Sequence, residues 1–337
     1  MTETESKNCY PVVVAGAGPA GVSVALGLLE ARIEVLLIDA APDMGGQLPK
    51  IPSPITNFAG GYKVTGKTAG ADMKEALLAA AARAQEEGVS LTNLPNYQVA
   101  HFDARTNELL LKSTAGKADL TVRGEKVVFC TGYRERRLQM PGQSKCEEAI
   151  YYHGKGPDGD TAIVIGGGDS ALLKLLAVAP LMKKVILIHR RKHFKARPDV
   201  VARVSNLPNL EVFLESEVAD LERNPQTGQI TVNIENLSSG LKQTRPADWL
   251  AVKVGYLPNT EFLENNLLLE DGHVIVDSSM RAFDKEGALL PNVFAGGDIV
   301  RGSFPRIATA CGHGMSIAAE IIKATFENGS LATSYQE

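Results

Sequence analysis

Two stretches of the chain share one hydrophobic rhythm. Tyr10 to Ala15 is apolar, Gly16-Ala17-Gly18-Pro19-Ala20-Gly21 interrupts it, Val22 to Ala31 is helical in pattern, and Glu34 to Asp39 is an apolar run that ends on an acid. Ile163 to Ile165, the turn from Gly166 to Gly168, a helical stretch reaching Met182 and the run Val185 to Ile188 repeat the arrangement, this time ending in a basic cluster. A short apolar run, a glycine turn, a helical stretch and a second apolar run together predict a β-α-β unit in each stretch. Between the units the pattern predicts a helix over Ala69 to Glu87, short strands at Val89 to Leu91, Tyr97 to Phe102, Glu108 to Ser113 and Leu120 to Val122, and a buried strand over Lys126 to Thr131. Beyond the second unit, Leu210 to Leu214, Glu217 to Glu222, Ile230 to Leu237 and Trp249 to Val254 read as strands. Asn292 to Ala295 ends a further strand, and Ile307 to Phe326 reads as a closing helix.

The glycines give these units a chemistry. In such a turn Gly16 and Gly166 bend the chain tightly, Gly18 and Gly168 let the backbone approach a pyrophosphate, and Gly21 and Ala171 let the helix pack on the strand. The helix N-terminus then offers N–H groups and positive dipole to phosphate. From Gly16 to Asp39 is 23 positions, and from Gly166 to His189 is also 23. Asp39 and His189 therefore hold equivalent places, where a dinucleotide's adenosine ribose is met. A carboxylate there accepts hydrogen bonds from free hydroxyls and repels a 2′-phosphate, so the first site suits FAD or NAD. The second offers His189, Arg190, Arg191 and Lys195, a cationic set that suits the 2′-phosphate of NADPH.

Length and composition narrow the class. The 337 residues allow two domains, and 44% hydrophobic with 22% charged residues is ordinary for a globular protein. A net charge of -4 gives no global attraction to nucleic acid or anionic lipid. The polar, acidic N-terminus shows no signal-peptide pattern and no apolar run is long enough to span a bilayer, which points to a cytoplasmic protein with no membrane partner. Cys9, Cys130, Cys146 and Cys311 form no C-x-x-C and no metal-ligand spacing, so no metal site is expected and the thiols read as buried or incidental.

The motifs GAGPAG, GGQL, NFAGG, CTG, GGGDSA, HRRKHFKA, GYLPNTEFL and FAGGD, in this order over nearly the whole chain, resemble the low-molecular-weight thioredoxin reductase family of flavoproteins. The resemblance implies an α/β fold of two Rossmann-like, three-layer dinucleotide-binding domains, the second inserted into the first, each with a β-meander. The FAD domain would comprise residues 1–134 and 255–337, and the NAD(P)H domain residues 135–254. It also implies a homodimer. Carried over residue by residue, Gly16, Gly18, Pro19, Ala20, Gly21, Asp39, Gly46, Gln47, Leu48, Asn57, Gly132, Gly297, Asp298, Arg306 and Ile307 would hold FAD. Gly166, Gly168, Asp169, Ser170, Ala171, His189, Arg190, Arg191 and Lys195 would hold NADPH, with Lys195 standing where the family usually has arginine.

One departure matters more than the matches. The family carries a redox C-x-x-C just before the second glycine turn, and ungapped counting back from Gly166 places it at Ala149 and Tyr152. A single nearby thiol, Cys146, cannot shuttle two electrons to a disulfide by internal exchange. A sister branch, the ferredoxin:NADP reductases of thioredoxin-reductase type, lacks the dithiol, has an aromatic-rich segment there and extends past the last helix. Tyr151-Tyr152-His153 and the tail Glu327 to Glu337 look similar to those features, with Tyr335 placed to stack on the flavin. The leading expectation is an FAD enzyme moving electrons between NADPH and a small carrier such as ferredoxin or flavodoxin, helped by the basic stretch Arg134, Arg136, Arg137 and Lys145. Two alternatives stay open. One is an atypical disulfide or thioredoxin-like reductase using thiols such as Cys311, on the helix that starts near Arg306 and Ile307. The other is a sensor flavoprotein whose second site holds another adenine nucleotide.

Overall fold

The computed structural model describes residues 8–327, apart from 52, 53, 62, 63 and 155. Its chain divides into two compact units, residues 1–133 with 258–337, and residues 134–257.

The discontinuous unit is built on a sheet whose strands run in the order Arg281–Phe283, Leu289–Ala295, Leu120–Phe129, Cys9–Ala15, Val35–Asp39 and Leu91–Pro95. All neighbours pair in parallel except the antiparallel edge strand Arg281–Phe283. Alternate residues enter two cores. Val12, Val14, Val35, Leu37, Val128 and Phe294 face the helices Pro19–Glu30, Gly66–Glu86 and Ile307–Glu327. Val13, Ala15, Leu36, Ile38, Val127 and Phe129 face the opposite way, against Phe102, Leu109 and Leu111 of the antiparallel strands Tyr97–Asp103 and Glu108–Ser113. The result is three layers with the parallel sheet in the middle, which is why its strands are apolar on both faces.

Sequence pattern and structure differ at Gly124. The pattern breaks between Val122 and Lys126 and suggests two strands, yet Leu120–Phe129 is one strand of 10 residues. Its first half closes the meander and its second half joins the parallel sheet, so one half carries alternating burial and the other continuous burial. Gly124 allows the change of partner by close packing: a Cβ there would come within 2.6 Å of the Lys126 carbonyl oxygen.

The inserted unit carries five parallel strands in the order Leu210–Leu214, Lys184–His189, Thr161–Ile165, Trp249–Val252 and Ile150–Tyr151. Helices Asp169–Val178 and Pro198–Ser205 share its core, as does an antiparallel sheet of Ser216–Arg223, Ile230–Asn236 and Lys242–Ala247. The short helix Pro198–Ser205, not among the elements expected from the sequence, is amphipathic: Pro198 opens it at its first position and two buried valines one turn apart, Val200 and Val204, hold it in place. Trp249 is 1% exposed at the centre of this core. Burying a side chain of this class contributes roughly 1.5–3 kcal/mol.

Candidate functional site

In the N-terminal unit the chain turns from the strand Cys9–Ala15 into the helix Pro19–Glu30. The amide of Gly16 donates to the Ile38 carbonyl at 2.7 Å, and its φ of 108° is open only to glycine without strain. A Cβ at Gly21 would lie 1.8 Å from the Gly16 carbonyl oxygen, so the helix reaches the turn only because residue 21 has none. Gly18 is the N-cap, and no side chain caps the helix. With Pro19 opening the first turn, the N–H groups of Ala20 and Gly21 stand at an uncapped N-terminus, an arrangement made for an anion. The loop Gly45-Gly46-Gln47 closes over it: the Gly45 amide donates to the Ala17 carbonyl at 2.9 Å, and a Cβ at Gly46 would meet Gly18 Cα at 2.9 Å.

Asp39 ends its strand beside this turn. Its Oδ2 accepts the Ala17 N–H at 2.6 Å and its Oδ1 accepts the Ala41 N–H at 2.7 Å. Burial still lifts the carboxyl above the ordinary range, against those two bonds. Asp298, in the short turn of helix Gly297–Ile299, is likewise pushed up by burial, and it has no hydrogen-bond partner among the described residues. Two carboxylates near one glycine turn, one unpartnered, fit the hydroxyl-rich ribose and ribityl chain of a flavin dinucleotide.

The other residues expected at this site fall into three settings. Gln47 donates from Nε2 to the Tyr133 carbonyl at 2.7 Å, just after Gly132. Leu48 and Ile307 belong to one apolar cluster with Ile55 and Ala69, and Ile307 is the first residue of the last helix. Asn57 and Arg306 are exposed; the Arg306 guanidinium donates to the Pro305 carbonyl and lies 4.1 Å from the centroid of the Phe304 ring. Cys311 is the fifth residue of that helix, beyond its first turn, and is half-buried. Tyr335 lies outside the described residues.

Several neighbouring residues were not singled out as site residues, although Thr131 and Asn259 lie within the CTG and GYLPNTEFL motifs. Asn259 ties the segment after Cys130 in place, donating from Nδ2 to the Thr131 carbonyl at 2.8 Å while Thr131 Oγ1 donates to the Asn259 carbonyl at 2.7 Å. Tyr133 Oη lies 2.6 Å from His273 Nε2, and His273 Nδ1 lies 3.0 Å from the Asp271 carbonyl, so Nδ1 carries the proton and the tyrosine donates. Burial, helped by the negative charge of Asp298, raises the Tyr133 hydroxyl's pKa and keeps it protonated. His313, on the last helix, accepts the Gly297 N–H at Nδ1, and burial lowers its pKa, which keeps it neutral.

The inserted unit repeats the turn. The Gly166 amide donates to the Ile188 carbonyl at 3.0 Å, Gly168 is the N-cap of the helix Asp169–Val178, and again no side chain caps it. Ala171 is fully buried against the turn, while Ser170 is exposed. The Asp169 carboxylate is bound by Arg197, whose backbone N–H donates to Oδ1 at 2.8 Å and whose Nε lies 3.4 Å from Oδ2. That pairing offsets a negative charge where phosphate would approach. Past His189 the chain folds back, with the Lys195 N–H donating to the Gly167 carbonyl at 2.8 Å. Arg190, Arg191 and Lys195 are exposed beside the turn and form no ion pair among the described residues. Free cations at this place fit a phosphate.

His189 differs from the sequence expectation in its surroundings. It is 8% exposed, its ring stacks on Phe194 at 5.4 Å, and its Nε2 pairs with the His193 carbonyl at 3.0 Å. It fills the corner that the Asp39 carboxylate fills in the first unit.

At the place where a dithiol was counted, Ala149 is buried and Tyr152 is half-buried under the Arg137 guanidinium, 5.3 Å from the ring centroid. All four cysteines are free. Cys146 and Cys130 are buried, and burial pushes the Cys130 thiol up to about 12. Among the described residues no helix is long and apolar enough to cross a membrane, and no cluster of His, Cys, Asp or Glu could hold a metal ion.

With this geometry in view, comparison with known proteins is informative. The family model described as pyridine nucleotide-disulphide oxidoreductase matches residues 10–314. A thioredoxin reductase of Streptomyces coelicolor is 27% identical over 318 residues, covering 92% of each chain. A ferredoxin--NADP reductase of Salinispora tropica is 29% identical over 317 residues, covering 90% of each. Among solved structures, Lactococcus lactis thioredoxin reductase in its FR conformation superposes with a TM-score of 0.77 at 24% identity, over 94% of this chain and 99% of that one.

Proposed function

The chain belongs to the pyridine nucleotide-disulphide oxidoreductase family, and we propose that within it the enzyme passes electrons from NADPH, by way of FAD, to a small one-electron carrier of the ferredoxin or flavodoxin kind. The observation that carries this reading is the absence of a cysteine pair before the second glycine turn. Alanine and an aromatic ring take those places, and the nearby Cys146 is fully buried. Disulfide exchange needs a thiolate with access to its target, and no such group stands there. The relative from Salinispora tropica, whose name states a ferredoxin acceptor, supports the same direction.

Each dinucleotide has a fitting set of residues. The uncapped helix at Gly18, with Asp39, Gln47, Gly132, Gly297 and Asp298, would bind FAD. The uncapped helix at Gly168, with Arg190, Arg191 and Lys195, would bind NADPH. FAD, when bound, supplies the exchange between a two-electron hydride donor and a one-electron acceptor. The chain's own groups bind and orient. Helix dipoles and N–H groups would hold phosphates, buried carboxylates would accept from hydroxyls, and burial keeps the Tyr133 hydroxyl protonated and His313 neutral. We propose that the enzyme works as a homodimer, as the resemblance of its motifs implies.

Anaerobic stopped-flow mixing of the FAD-loaded enzyme with NADPH tests the proposal. Bleaching of the flavin, followed by its recovery on adding oxidised ferredoxin or flavodoxin, is the expected result. Recovery with oxidised thioredoxin instead would overturn the proposed acceptor. Tight NADPH binding without bleaching would overturn the enzyme's proposed electron route.

A further inference from the structure

In the inserted unit the turn Gly166 to Gly168 follows the central strand Thr161–Ile165, and two parallel strands flank it on each side. A dinucleotide bound at the carboxyl ends of such a sheet straddles the strand that leads into the glycine turn, one half over each side. Arg190, Arg191 and Lys195 follow Lys184–His189 and occupy one side. The residues that follow the strands on the other side are Lys253, after Trp249–Val252, and Tyr152 with His153, after Ile150–Tyr151. Here they gather around Glu135.

Glu135 Oε1 lies 2.9 Å from Lys253 Nζ, and Lys253 Nζ also donates to the Tyr152 carbonyl. Glu135 Oε2 lies 3.0 Å from His153 Nε2, within ion-pair range, yet it accepts no hydrogen bond from the described residues: the distance is right and the direction is not. The side chains of Glu135 and Lys253 are 9% and 14% exposed, whereas that of His153 is 47% exposed. The cluster adjoins the nucleotide turn, since a Cβ at Gly166 would stand 2.1 Å from the Lys253 carbonyl oxygen.

A nearly buried ion pair is costly to desolvate, and an unused carboxylate lone pair inside it adds to the cost. Lys253 has three N–H donors and spends two of them. The unspent capacity is therefore one strong acceptor, Glu135 Oε2, beside one strong donor, Lys253 Nζ. A phosphate or carboxylate would meet repulsion from Glu135, and a bare cation would meet repulsion from Lys253. A primary amide matches both, its NH2 donating to the carboxylate and its oxygen accepting from the ammonium. Resting on the reading of this turn as the NADPH site, we infer that Glu135 and Lys253 read the carboxamide of the nicotinamide ring, the half-exposed His153 that covers Glu135 Oε2 turning aside to admit it. Glu135 and Lys253 thereby set which face of the ring is presented, and they select nicotinamide over other groups attached to the same pyrophosphate.

Equilibrium titrations of the FAD-loaded enzyme test this without recourse to turnover. NADP⁺, its 3-acetylpyridine analogue, which lacks the amide NH2, and adenosine 2′,5′-bisphosphate, which lacks the nicotinamide half, are titrated into wild type, Glu135→Ala, Lys253→Met and Lys253→Arg. Lys253→Met is expected to weaken NADP⁺ by about tenfold or more, as loss of a hydrogen bond to a charged group does. Adenosine 2′,5′-bisphosphate should bind that variant as it binds wild type, which also shows that the site is folded. Lys253→Arg should restore most of the affinity, and Glu135→Ala should erase the preference for NADP⁺ over its acetylpyridine analogue. Unchanged NADP⁺ affinity in Lys253→Met, or equal losses for NADP⁺ and the bisphosphate, would overturn the inference. If wild type binds adenosine 2′,5′-bisphosphate no better than AMP, the NADPH reading fails separately. The same variants titrated with NAD⁺ against AMP then decide the carboxamide site.

Discussion

The imidazole of His189 lies directly against Gly167, so that a Cβ on the glycine would stand 2.2 Å from His189 Cε1. In the N-terminal unit the equivalent corner is closed by Asp39 accepting the Ala17 N–H. One corner is thus held by a carboxylate, the other by a buried ring stacked on Phe194. The ring's bond to the His193 carbonyl and the Lys195 bond to Gly167 hold the basic loop beside the turn. Its cations are left outside, available to phosphate.

Filling that corner should be costly. Gly167→Ala is expected to destabilise the protein by about 1–3 kcal/mol, the usual cost of overpacking. His189→Ala makes room for the added methyl, so the double substitution should cost less than the sum of the two single ones. Urea unfolding of the three variants measures the coupling, and strict additivity would mean that the ring is not what fills the space.

Arg190→Ala with Arg191→Ala should change the choice of nucleotide. Each hydrogen bond to a charged group contributes about 1.5–3 kcal/mol, or roughly tenfold or more in affinity. Steady-state assays should show kcat/KM for NADPH falling by that factor or beyond it while the value for NADH holds. A parallel fall for both nucleotides would indicate that the arginines act on structure.

Asp298→Asn should separate stability from function. Burial raises the folded-state pKa of this carboxyl, so its contribution to stability is fully present below the unfolded value of about 3.9 and is lost as pH rises through the folded value. The asparagine variant has no charge to desolvate. Flavin-free Asp298→Asn is therefore expected to melt at a higher temperature than wild type at neutral pH, with the advantage fading as the buffer is taken below about pH 4. FAD affinity should drop in the same variant, because a charged acceptor has been replaced by a neutral amide. A variant that melts lower at every pH would contradict the sign argued here.

Thiol accessibility gives a further check on the electron path. Cys130 and Cys146 are buried, and Cys130 holds its proton up to about pH 12. At neutral pH a thiol reagent should modify Cys9 at once, reach Cys311 more slowly, and reach Cys130 and Cys146 only on unfolding. Cys311→Ser should leave both flavin reduction by NADPH and carrier reduction intact, measured by the same stopped-flow experiment that tests the acceptor.

Both glycine turns were legible along the chain because their physics is local. A strand, a glycine bend and a helix N-terminus lie within about forty residues, and the 23-residue spacing from Gly16 to Asp39 and from Gly166 to His189 sets the end of the second strand in each. The β-α-β units followed from apolar runs set around glycine turns, the three-layer α/β architecture from the resemblance of the motifs, and the paired sheets bear both out. What each corner contains was not legible in this way. Burial of His189 depends on Phe194 and on a loop that folds back over Gly167. The single strand Leu120–Phe129 depends on two different neighbours taking its two halves. The pairs Tyr133 with His273 and Glu135 with Lys253 lie 140 and 118 positions apart. No periodicity links such residues, since they are brought together by the order of strands in a sheet. That order is decided by the burial of whole faces, a sum over many distant side chains, and only the tertiary structure expresses it.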